Sequence, residues 1–250
     1  IRFSERYVRS DPISSRDFKA LQEAAAASFA EVDWLGEAHG TTLAGIGGTI
    51  RTLAEIDQKQ SGYPLDRVHG YTLSRGRLDE IIGMLRGMTL RQREEVPGLS
   101  RDRADLILAG AVILQQLMER GGFGEVLVSG QGLREGLFYE HFLVGENPPL
   151  FSDMRGFSVQ NLARIYNHEA LHSAKVRELA LSLFDQLRPL HGYGDWEREL
   201  LGYAALLHDI GVAISYYDHH KHGAYLLLNS ALQGFSHREV IILALLVRYH

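Results

Sequence analysis

Two adjacent prolines, Pro148 and Pro149, separate the sequence into two parts whose hydrophobic patterns differ. Proline cannot continue a helix and also restricts the residue before it, so neither part extends its secondary structure through this point. The first part alternates short apolar runs, glycine turns and helical periods, whereas the second part carries helical periods with few strand signals. We therefore expect one domain over residues 1–148 and a second domain over residues 152–250.

Two strand–glycine–helix units in the first part predict an α/β fold. The apolar run 42–46 ends in a first glycine corner, residues 47–49, which leads into helical spacing. The run 125–129 is typical of a buried strand, and a second glycine corner, residues 130–132, turns it into another helix. Further helices are predicted in this part at residues 15–30, 78–85 and 100–119. Beyond the prolines, helical periods recur to the last residue and predict an all-helical domain.

Both glycine corners have the composition of an anion-binding turn. Backbone N–H groups at a helix N-terminus attract anions, and glycine lets a ligand approach the backbone closely. Thr49 adds a hydroxyl at the first corner, while Arg134 at the second corner either meets a phosphate or pairs with the adjacent Glu135. A plain turn remains open at each corner, because many glycine turns bind nothing. The candidate phosphate-binding residues are Gly47, Gly48, Thr49, Gly130, Gly132 and Arg134.

A group of arginines between two predicted helices is interleaved with acidic residues. Such alternation is typical of a solvated, salt-bridged connection, and we prefer that interpretation to an edge that holds a polyanion. The arginines are Arg86, Arg91, Arg93, Arg101 and Arg103.

Histidines are concentrated in the second part, where nine of the 12 lie at or after His168. His172 begins a predicted helix, and the adjacent pair His208 and Asp209 ends another helix 36 residues later. Imidazole and carboxylate together suit Mn, Fe, Zn or Mg. His168 is an alternative first ligand, and His250 is a further donor on the last helix. The candidate metal ligands are His172, His208, Asp209, His219 and His222; His191 and His237 are interpreted as packing residues.

Composition excludes several classes of protein. A net charge of −5 argues against a protein that wraps nucleic acid through its overall field. The absence of cysteine excludes disulfides and thiolate metal sites and favours a cytoplasmic location. No apolar run approaches the roughly 20 residues of a membrane span. The chain starts at Ile1 without an initiator methionine and stops at His250 inside a helical pattern, so we expect a fragment of a longer polypeptide.

The order of these motifs resembles that of the exopolyphosphatase and guanosine pentaphosphate phosphatase family. The resemblance covers essentially the whole chain, and its most specific parts are the second glycine corner and the His-Asp pair. The matching stretches are Gly45-Ile-Gly-Gly-Thr-Ile50, Val68-His-Gly-Tyr71, Arg103-Ala-Asp-Leu-Ile-Leu-Ala-Gly110, Val128-Ser-Gly-Gln-Gly-Leu-Arg-Glu-Gly136, Leu207-His-Asp-Ile-Gly211 and His219-His-Lys-His222.

The resemblance implies the second lobe of an actin-like (ASKHA) ATPase fold, followed by an all-α domain of HD type. It also implies an enzyme that hydrolyses the terminal phosphoanhydride of polyphosphate, or the 5′ phosphate of guanosine pentaphosphate. Such enzymes use Mg²⁺ and a catalytic glutamate in the cleft between two lobes. The first lobe and the glutamate loop have no counterpart here, so we expect the glutamate N-terminal to this chain, assign no catalytic residue, and expect the chain alone to be inactive.

Two alternatives remain open. The helical domain is either an HD-type, metal-dependent phosphohydrolase that holds a transition metal, or a non-catalytic module that binds polyphosphate or forms a homodimer. The expected partners are polyphosphate or a guanosine penta- or tetraphosphate, with neither nucleic acid nor a membrane span.

Overall fold

The computed structural model describes residues 1–146, 150–166 and 169–250. They form two compact units, Ile1–Phe142 and Leu143–His250. The proline pair that marks the predicted boundary, Pro148 and Pro149, lies outside the described residues, as does His168. No helix in the described ranges combines the length and the apolar character that crossing a membrane requires.

The first unit packs helices around a small sheet. It also contains two 3₁₀ turns, Asp33–Glu37 and Arg101–Arg103. In chain order these elements are α1 (Arg2–Tyr7), α2 (Ser15–Ala30), β1 (Ala44–Gly45), α3 (Gly48–Ser61), β2 (Thr72–Ser74), α4 (Arg75–Gly87), α5 (Leu90–Arg93), α6 (Ile107–Gly121), β3 (Glu125–Val128) and α7 (Leu133–Phe142).

The sheet has the strand order β1-β3-β2. β1 runs parallel to β3, with Gly45 opposite Val128, and β2 runs antiparallel to β3. The two predicted strand–glycine–helix units are therefore neighbours in one sheet. The sequence pattern missed β2, because its three residues include a single buried side chain, Leu73, and so offer no alternation to detect.

Helix positions in the first unit follow the predicted apolar periods with one exception. Ser14 caps α2 by accepting a hydrogen bond at Oγ from the Asp17 amide over 3.1 Å. Leu78, Leu85 and the isoleucines between them are all buried on α4. The helix predicted from residue 100 instead begins at Ile107, because Ser100 provides no side-chain cap and the following residues form a 3₁₀ turn.

Every regular element described in the second unit is helical, as the periods predict. Its core contains Val159, Leu207, Leu227 and Val240, one from each of four different helices. A 3₁₀ turn, Ile210–Ala213, follows the third helix. The helices are α8 (Met154–Ile165), α9 (Ala170–His191), α10 (Asp195–Leu207), α11 (His219–Asn229) and α12 (His237–Arg248).

Candidate functional site

The two glycine corners lie side by side, because they follow two adjacent parallel strands. The Ser129 amide donates to the Gly45 carbonyl over 2.8 Å and continues the pairing of β1 with β3 up to the corners. Gly47 turns the chain with φ of 98°, a conformation that favours glycine. Arg51 then donates from Nη1 to the carbonyl oxygen of Gly130 over 3.4 Å, which links the first corner to the second.

The first corner leaves the N-terminus of α3 without a side-chain cap. Gly47 occupies the N-cap position and has no side chain that could accept from the first-turn amides. The first turn contains no acidic residue either, and Arg51 follows it directly. A cation is unfavourable near this positive end of the helix dipole unless an anion also binds there. This arrangement is typical of an anion-binding helix N-terminus.

Arg103 lies directly on the backbone of Gly48. A Cβ atom placed on Gly48 would lie 2.0 Å from Nη1 of Arg103, so the guanidinium occupies the space that any larger residue would need. The interpretation of Arg103 as part of a solvated, salt-bridged connection is therefore wrong. Arg93 is not solvated either, since it is 2% exposed in the core, although it pairs with Asp11 over 3.7 Å. The interpretation holds for Arg101, which is exposed and pairs with Glu95 over 3.4 Å.

Neither Arg51 nor Arg103 has a carboxylate within 4.0 Å among the residues that the structure describes. Glu55, one turn further along α3, is an acidic residue whose pKa both arginines influence. Burial raises the pKa of Glu55, and the two guanidinium groups act in the opposite direction. Within the described residues, neither guanidinium group is therefore matched by an ion pair.

At the second corner the predicted donors already have protein partners. The Gly130 amide donates to Nδ1 of His69 over 3.2 Å, and the Gly132 amide donates to Oε2 of Glu135 over 2.8 Å. Arg134 is on the surface and pairs with Glu135, with Nη2 2.9 Å from Oε1. Of the two alternatives for Arg134, the structure contains the pairing with Glu135.

Thr49 contacts a different part of the unit. Its Cγ2 atom would lie 2.5 Å from a Cβ placed on Gly110 of α6, so the side chain packs against that helix. It also lines a cavity of about 430 Å³ together with Leu106 and Ala109. The backbone amide of Thr49 therefore belongs to the first corner, while its side chain faces α6.

Sequence reasoning missed Arg51, Arg103 and His69 as residues of this site. Arg51 gave a detectable signal, because a basic residue just after a helix N-terminus opposes the dipole. Arg103 and His69 lie in stretches that resemble the family, but nothing in a single sequence shows that the fold brings them to Gly48 and Gly130.

In the second unit, four helices bring imidazole and carboxylate groups together. His172 lies in the first turn of α9, His208 directly follows α10, and Asp209 directly precedes the 3₁₀ turn. His219 is the first residue of α11, and His250 follows α12. We call these five residues the histidine cluster.

The cluster divides into two groups of three that share Asp209. In the first group, Nε2 of His172 lies 3.3 Å from Nε2 of His208, and these atoms lie 3.5 and 3.1 Å from Oδ2 of Asp209. In the second group, Nε2 of His219 lies 3.4 Å from Oδ1 of Asp209 and 3.2 Å from Nε2 of His250. Four of the five members are histidines, which ligate metals through a ring nitrogen, and the fifth is the Asp209 carboxylate.

Three of the imidazoles are oriented by their own backbone. Nδ1 lies 2.9 Å from the Ala205 carbonyl in His208, 3.0 Å from the Tyr216 carbonyl in His219, and 2.6 Å from the Val247 carbonyl in His250. A carbonyl only accepts, so Nδ1 carries the hydrogen and Nε2 of the neutral ring presents a lone pair to the cluster. This second contact is the usual companion of a metal-ligating histidine.

Burial lowers the pKa of the His208 imidazole, and the nearby His250 and His172 add to the shift, while the Ala205 carbonyl and Asp209 oppose it. A lowered pKa keeps His208 in the neutral form that ligates metals.

The close approach of α11 to Asp209 depends on Gly211. A Cβ atom on Gly211 would lie 1.9 Å from the carbonyl oxygen of His219, so no other residue fits against this backbone. The glycine therefore brings the start of α11, and with it the His219 ring, within reach of the Asp209 carboxylate.

The predicted ligand set needs one correction and one addition. His222 joins neither group, because it lies nearly one turn further along α11, close enough to Asp218 to help lower the pKa of that carboxyl, which Lys221 lowers most. His250 joins the second group instead. His191 is a packing residue as predicted, with Nε2 2.9 Å from the Phe184 carbonyl. His168 lies outside the described residues.

Two relatives match most of this chain, and a solved structure matches more than half of it. A protein described as "Guanosine-5'-triphosphate,3'-diphosphate pyrophosphatase" from Aeromonas hydrophila is 28% identical over 236 residues, which is 92% of this chain and 43% of that protein. One of the same description from Aeromonas salmonicida is 30% identical over 230 residues, with the same coverage. The crystal structure of the Aquifex aeolicus member of the Ppx/GppA protein family is 27% identical with a TM-score of 0.50, over 58% of this chain and 46% of that one.

This chain spans less than half the length of each of these relatives. The sequence profile described as "Ppx/GppA phosphatase, domain III" matches residues 154–250, which contain the histidine cluster. The profile of the Ppx/GppA phosphatase family matches residues 1–144, which contain both glycine corners. Because that match covers more than half of the chain, the chain belongs to the Ppx/GppA phosphatase family.

Proposed function

We propose that the protein to which this chain belongs hydrolyses a terminal phosphoanhydride, either that of inorganic polyphosphate or the 5′ phosphate of guanosine pentaphosphate. The observation that carries the proposal is the position of Arg51 and Arg103 beside the uncapped N-terminus of α3, where neither has a carboxylate within 4.0 Å in the described part of the chain. The names of the Aeromonas relatives support a guanosine polyphosphate substrate. Family membership supports the phosphatase class.

The chemistry needs what these residues offer. Hydrolysis forms a bond between a water oxygen and the terminal phosphorus, and it breaks the bond from that phosphorus to the bridging oxygen. The electron pair stays on the bridging oxygen of the shortened chain, and the water gives up one proton. Negative charge moves onto phosphate oxygens along the way, and guanidinium groups with helix N–H donors stabilise it by position and charge.

In this proposal the first corner supplies backbone amides at Gly48 and Thr49, and Arg103 and Arg51 supply charge. Gly130 forms the adjacent wall. Gly132 and Arg134 contribute only after a phosphate displaces the Glu135 carboxylate from both of them. We place residues 1–148 as the second lobe of an actin-like fold, which the parallel pairing of β1 with β3 and the two glycine corners support.

The residues around the glycine corners do not fit Mg²⁺, the cation that the family resemblance implies. Magnesium prefers carboxylate and water oxygens, whereas Glu135, the carboxylate described at these corners, is held by Arg134 and Gly132. The neutral oxygens there are also engaged: Ser129 Oγ bonds to Gln131, and the Thr49 side chain faces α6. We therefore derive no step through Mg²⁺ from this chain. A base for the attacking water is likewise not assigned to any residue here.

The experiment uses a longer protein, which contains this chain and also the part of the family's sequence that this chain does not cover. We expect release of inorganic phosphate from polyphosphate or from guanosine pentaphosphate in the presence of Mg²⁺. Arg103→Ala should lower kcat/KM about 10- to 100-fold, the loss typical of a hydrogen bond to a charged group. Arg91→Ala is the matched control, because Arg91 is exposed and belongs to neither corner. No release from either substrate overturns the proposal.

A second candidate activity belongs to the helical unit, and the observation that favours it is the triangle of His172, His208 and Asp209. We propose that this HD-like unit, residues 152–250, binds a divalent transition metal that activates water for phosphoester or phosphoanhydride hydrolysis. The donor set fits such a metal, because imidazole and carboxylate are its preferred ligands. Elemental analysis of purified protein tests this, with His208→Ala expected to lose metal that His222→Ala retains.

A further inference from the structure

We propose that Tyr71 is a positioning residue of the anion site, because its hydroxyl ties the turn that carries His69 to the buried carboxylate of Asp57 on α3. This inference rests on the anion site proposed for the glycine corners. It goes further, because it gives a role in anion binding to two residues, Tyr71 and Asp57, that lie outside both corners.

Gly130 is held through both of its backbone groups. Its amide donates to Nδ1 of His69 over 3.2 Å, and its carbonyl oxygen accepts from Nη1 of Arg51 over 3.4 Å. A Cβ atom placed on Gly130 would lie 2.9 Å from Cβ of His69, so this histidine also packs directly against the corner. A displacement of His69 would therefore move Gly130, and with it the guanidinium of Arg51 that the proposed function uses.

The turn that presents His69 is short and closed by hydrogen bonds. The Tyr71 amide donates to the Val68 carbonyl over 3.0 Å, and Gly70 has φ of 85°, a conformation that favours glycine. The Gly70 amide and the Tyr71 carbonyl both pair with the backbone of Val128, each over 2.8 Å. The turn therefore extends the pairing of β2 with β3 up to the second corner.

Two buried side chains of α3 also hold this turn. Asp57, which is 3% exposed, accepts from the Tyr71 hydroxyl at Oδ2 over 2.7 Å. Gln58, the next residue of α3, donates from Nε2 to the carbonyl of Arg67 over 2.7 Å. A hydrogen bond to a carboxylate is roughly twice as strong as one between neutral groups. Because α3 begins at the first corner, one helix fixes the positions of both corners.

Asp57 has a second partner that balances its charge. Arg77 of α4 donates from Nε to Oδ1 of Asp57 over 2.7 Å, so each carboxylate oxygen has its own donor. Burial and the hydrogen bond to Asp57 raise the pKa of Tyr71, which keeps its hydroxyl a donor at neutral pH. Removing that hydroxyl should therefore release the turn and still leave Asp57 paired with Arg77.

A purely structural role for the Tyr71 hydroxyl is the competing explanation. It predicts that Tyr71→Phe lowers the unfolding temperature and leaves the anion affinity of the folded chain unchanged. If Tyr71 instead acts through His69, the effects of the two substitutions are not additive, because the hydroxyl has nothing to position once His69 is gone. A double-mutant cycle separates these explanations.

The first experiment measures tripolyphosphate binding by titration calorimetry, well below the unfolding temperature of each variant. We expect Tyr71→Phe and His69→Ala each to raise the dissociation constant about tenfold, since misplaced binding groups lose much of their interaction. The double variant should bind no more weakly than His69→Ala. His69→Asn should stay within about threefold of the wild type, because its side-chain oxygen offers Gly130 an acceptor in place of Nδ1.

Tyr203→Phe is the matched control. It removes a hydroxyl of the second unit that donates to a carboxylate, Oε1 of Glu199, over 3.1 Å. We expect it to leave the affinity for tripolyphosphate unchanged. An affinity for Tyr71→Phe equal to that of this control, or additive losses in the double variant, overturns the proposal.

Nitrogen NMR of the chain labelled at histidine gives a result that does not depend on anion binding. The Nδ1 signal of His69, identified by its loss in His69→Ala, should move in Tyr71→Phe and stay in place in Tyr203→Phe. An unmoved signal in Tyr71→Phe overturns the proposal. If the wild type binds no tripolyphosphate, the anion site proposed above is wrong, whereas the His69 signal still decides whether Tyr71 positions the turn.

Discussion

Arg51 donates to the carbonyl oxygen of Gly130 over 3.4 Å, so a single side chain from the first glycine corner reaches the second. The bond is long and occupies one of the five N–H donors of the guanidinium. Arg51 therefore has two roles in the proposed site: it holds the corners together, and it keeps donors for an anion.

We expect Arg51→Ala to weaken binding of tripolyphosphate to the chain about 10- to 100-fold, because a hydrogen bond to a charged group contributes about 1.5–3 kcal/mol. Arg51→Lys should fall between the wild type and Arg51→Ala, since lysine keeps the charge and loses the planar fork. Titration calorimetry measures the affinities. If Arg51→Ala binds as tightly as the exposed control Arg91→Ala, the anion site is not at this corner.

Arg134 should contribute little to the same measurement. Its side chain is 93% exposed and already pairs with Glu135, so binding a phosphate there means giving up that pair. We expect Arg134→Ala to change the dissociation constant of tripolyphosphate by less than about threefold, as for other surface substitutions. A loss of tenfold or more would show that Arg134 leaves Glu135 and binds the anion.

Much of the fold was predictable because it depends on local patterns. The apolar spacing of α4, the serine cap of α2 and the glycine that ends β1 are all written within a few neighbouring residues. β2 was not predictable, because three residues carry too little periodicity and its place depends on pairing with β3. The late start of α6 was missed for a similar reason: helical spacing alone does not distinguish a 3₁₀ turn from the first turn of a helix.

The candidate sites also contain residues that the sequence predicted and residues that only the fold brings together. His172, His208 and Asp209 were predicted from residue type and order, and the structure places them within 3.5 Å of one another. His222 was predicted on proximity in sequence to His219, which does not specify the direction in which a helix presents a ring. The contact of Arg103 with Gly48 joins residues more than fifty positions apart, and a single sequence carries no signal for it.

Metal removal should destabilise the helical unit alone. A ligand present at 100 times its dissociation constant stabilises the folded state by about 2.7 kcal/mol, which corresponds to a rise in Tm of about 10 °C for a unit of this size. We expect Mn²⁺ to raise, and a chelator to lower, one of two transitions in calorimetry. Asp209→Ala should abolish the difference between the two conditions. A shift of equal size in that variant would place the metal elsewhere.

Arg93 should be a stability residue of the first unit. It is buried and donates to the carbonyls of Leu85, Met88 and Ala104 over 3.2, 3.1 and 3.4 Å. Arg93→Ala leaves a cavity and removes the donor from three buried acceptors, so we expect a loss of about 3 kcal/mol or more in the free energy of unfolding. Urea denaturation measures it. Arg91→Ala, two residues away on the surface, should cost less than about 0.5 kcal/mol.

Glu239 should make the stability of the helical unit depend on pH. Its carboxylate accepts hydrogen bonds from Arg155, from the Trp196 indole over 3.0 Å, and from the amide and hydroxyl of Ser236. Burial alone would raise the pKa of Glu239, but these donors, with Ser236 first, outweigh it and hold the pKa below its ordinary value of 4.5. Protonation therefore breaks favourable contacts in the folded state.

A depressed pKa contributes stability that is present above the unfolded value and is lost as the pH falls through the folded value. As the pH falls below the ordinary glutamate value of 4.5, the free energy of unfolding should therefore decrease more steeply in the wild type than in Glu239→Gln, which cannot titrate. Glu239→Gln should also be about 1–3 kcal/mol less stable at neutral pH, since Arg155 loses a charged partner. Glu178→Gln is the control, because Glu178 is exposed and pairs with Lys175 on the surface. Parallel curves for wild type and Glu239→Gln, measured by urea denaturation at each pH, would mean that the hydrogen bonds to Glu239 do not favour its charged form.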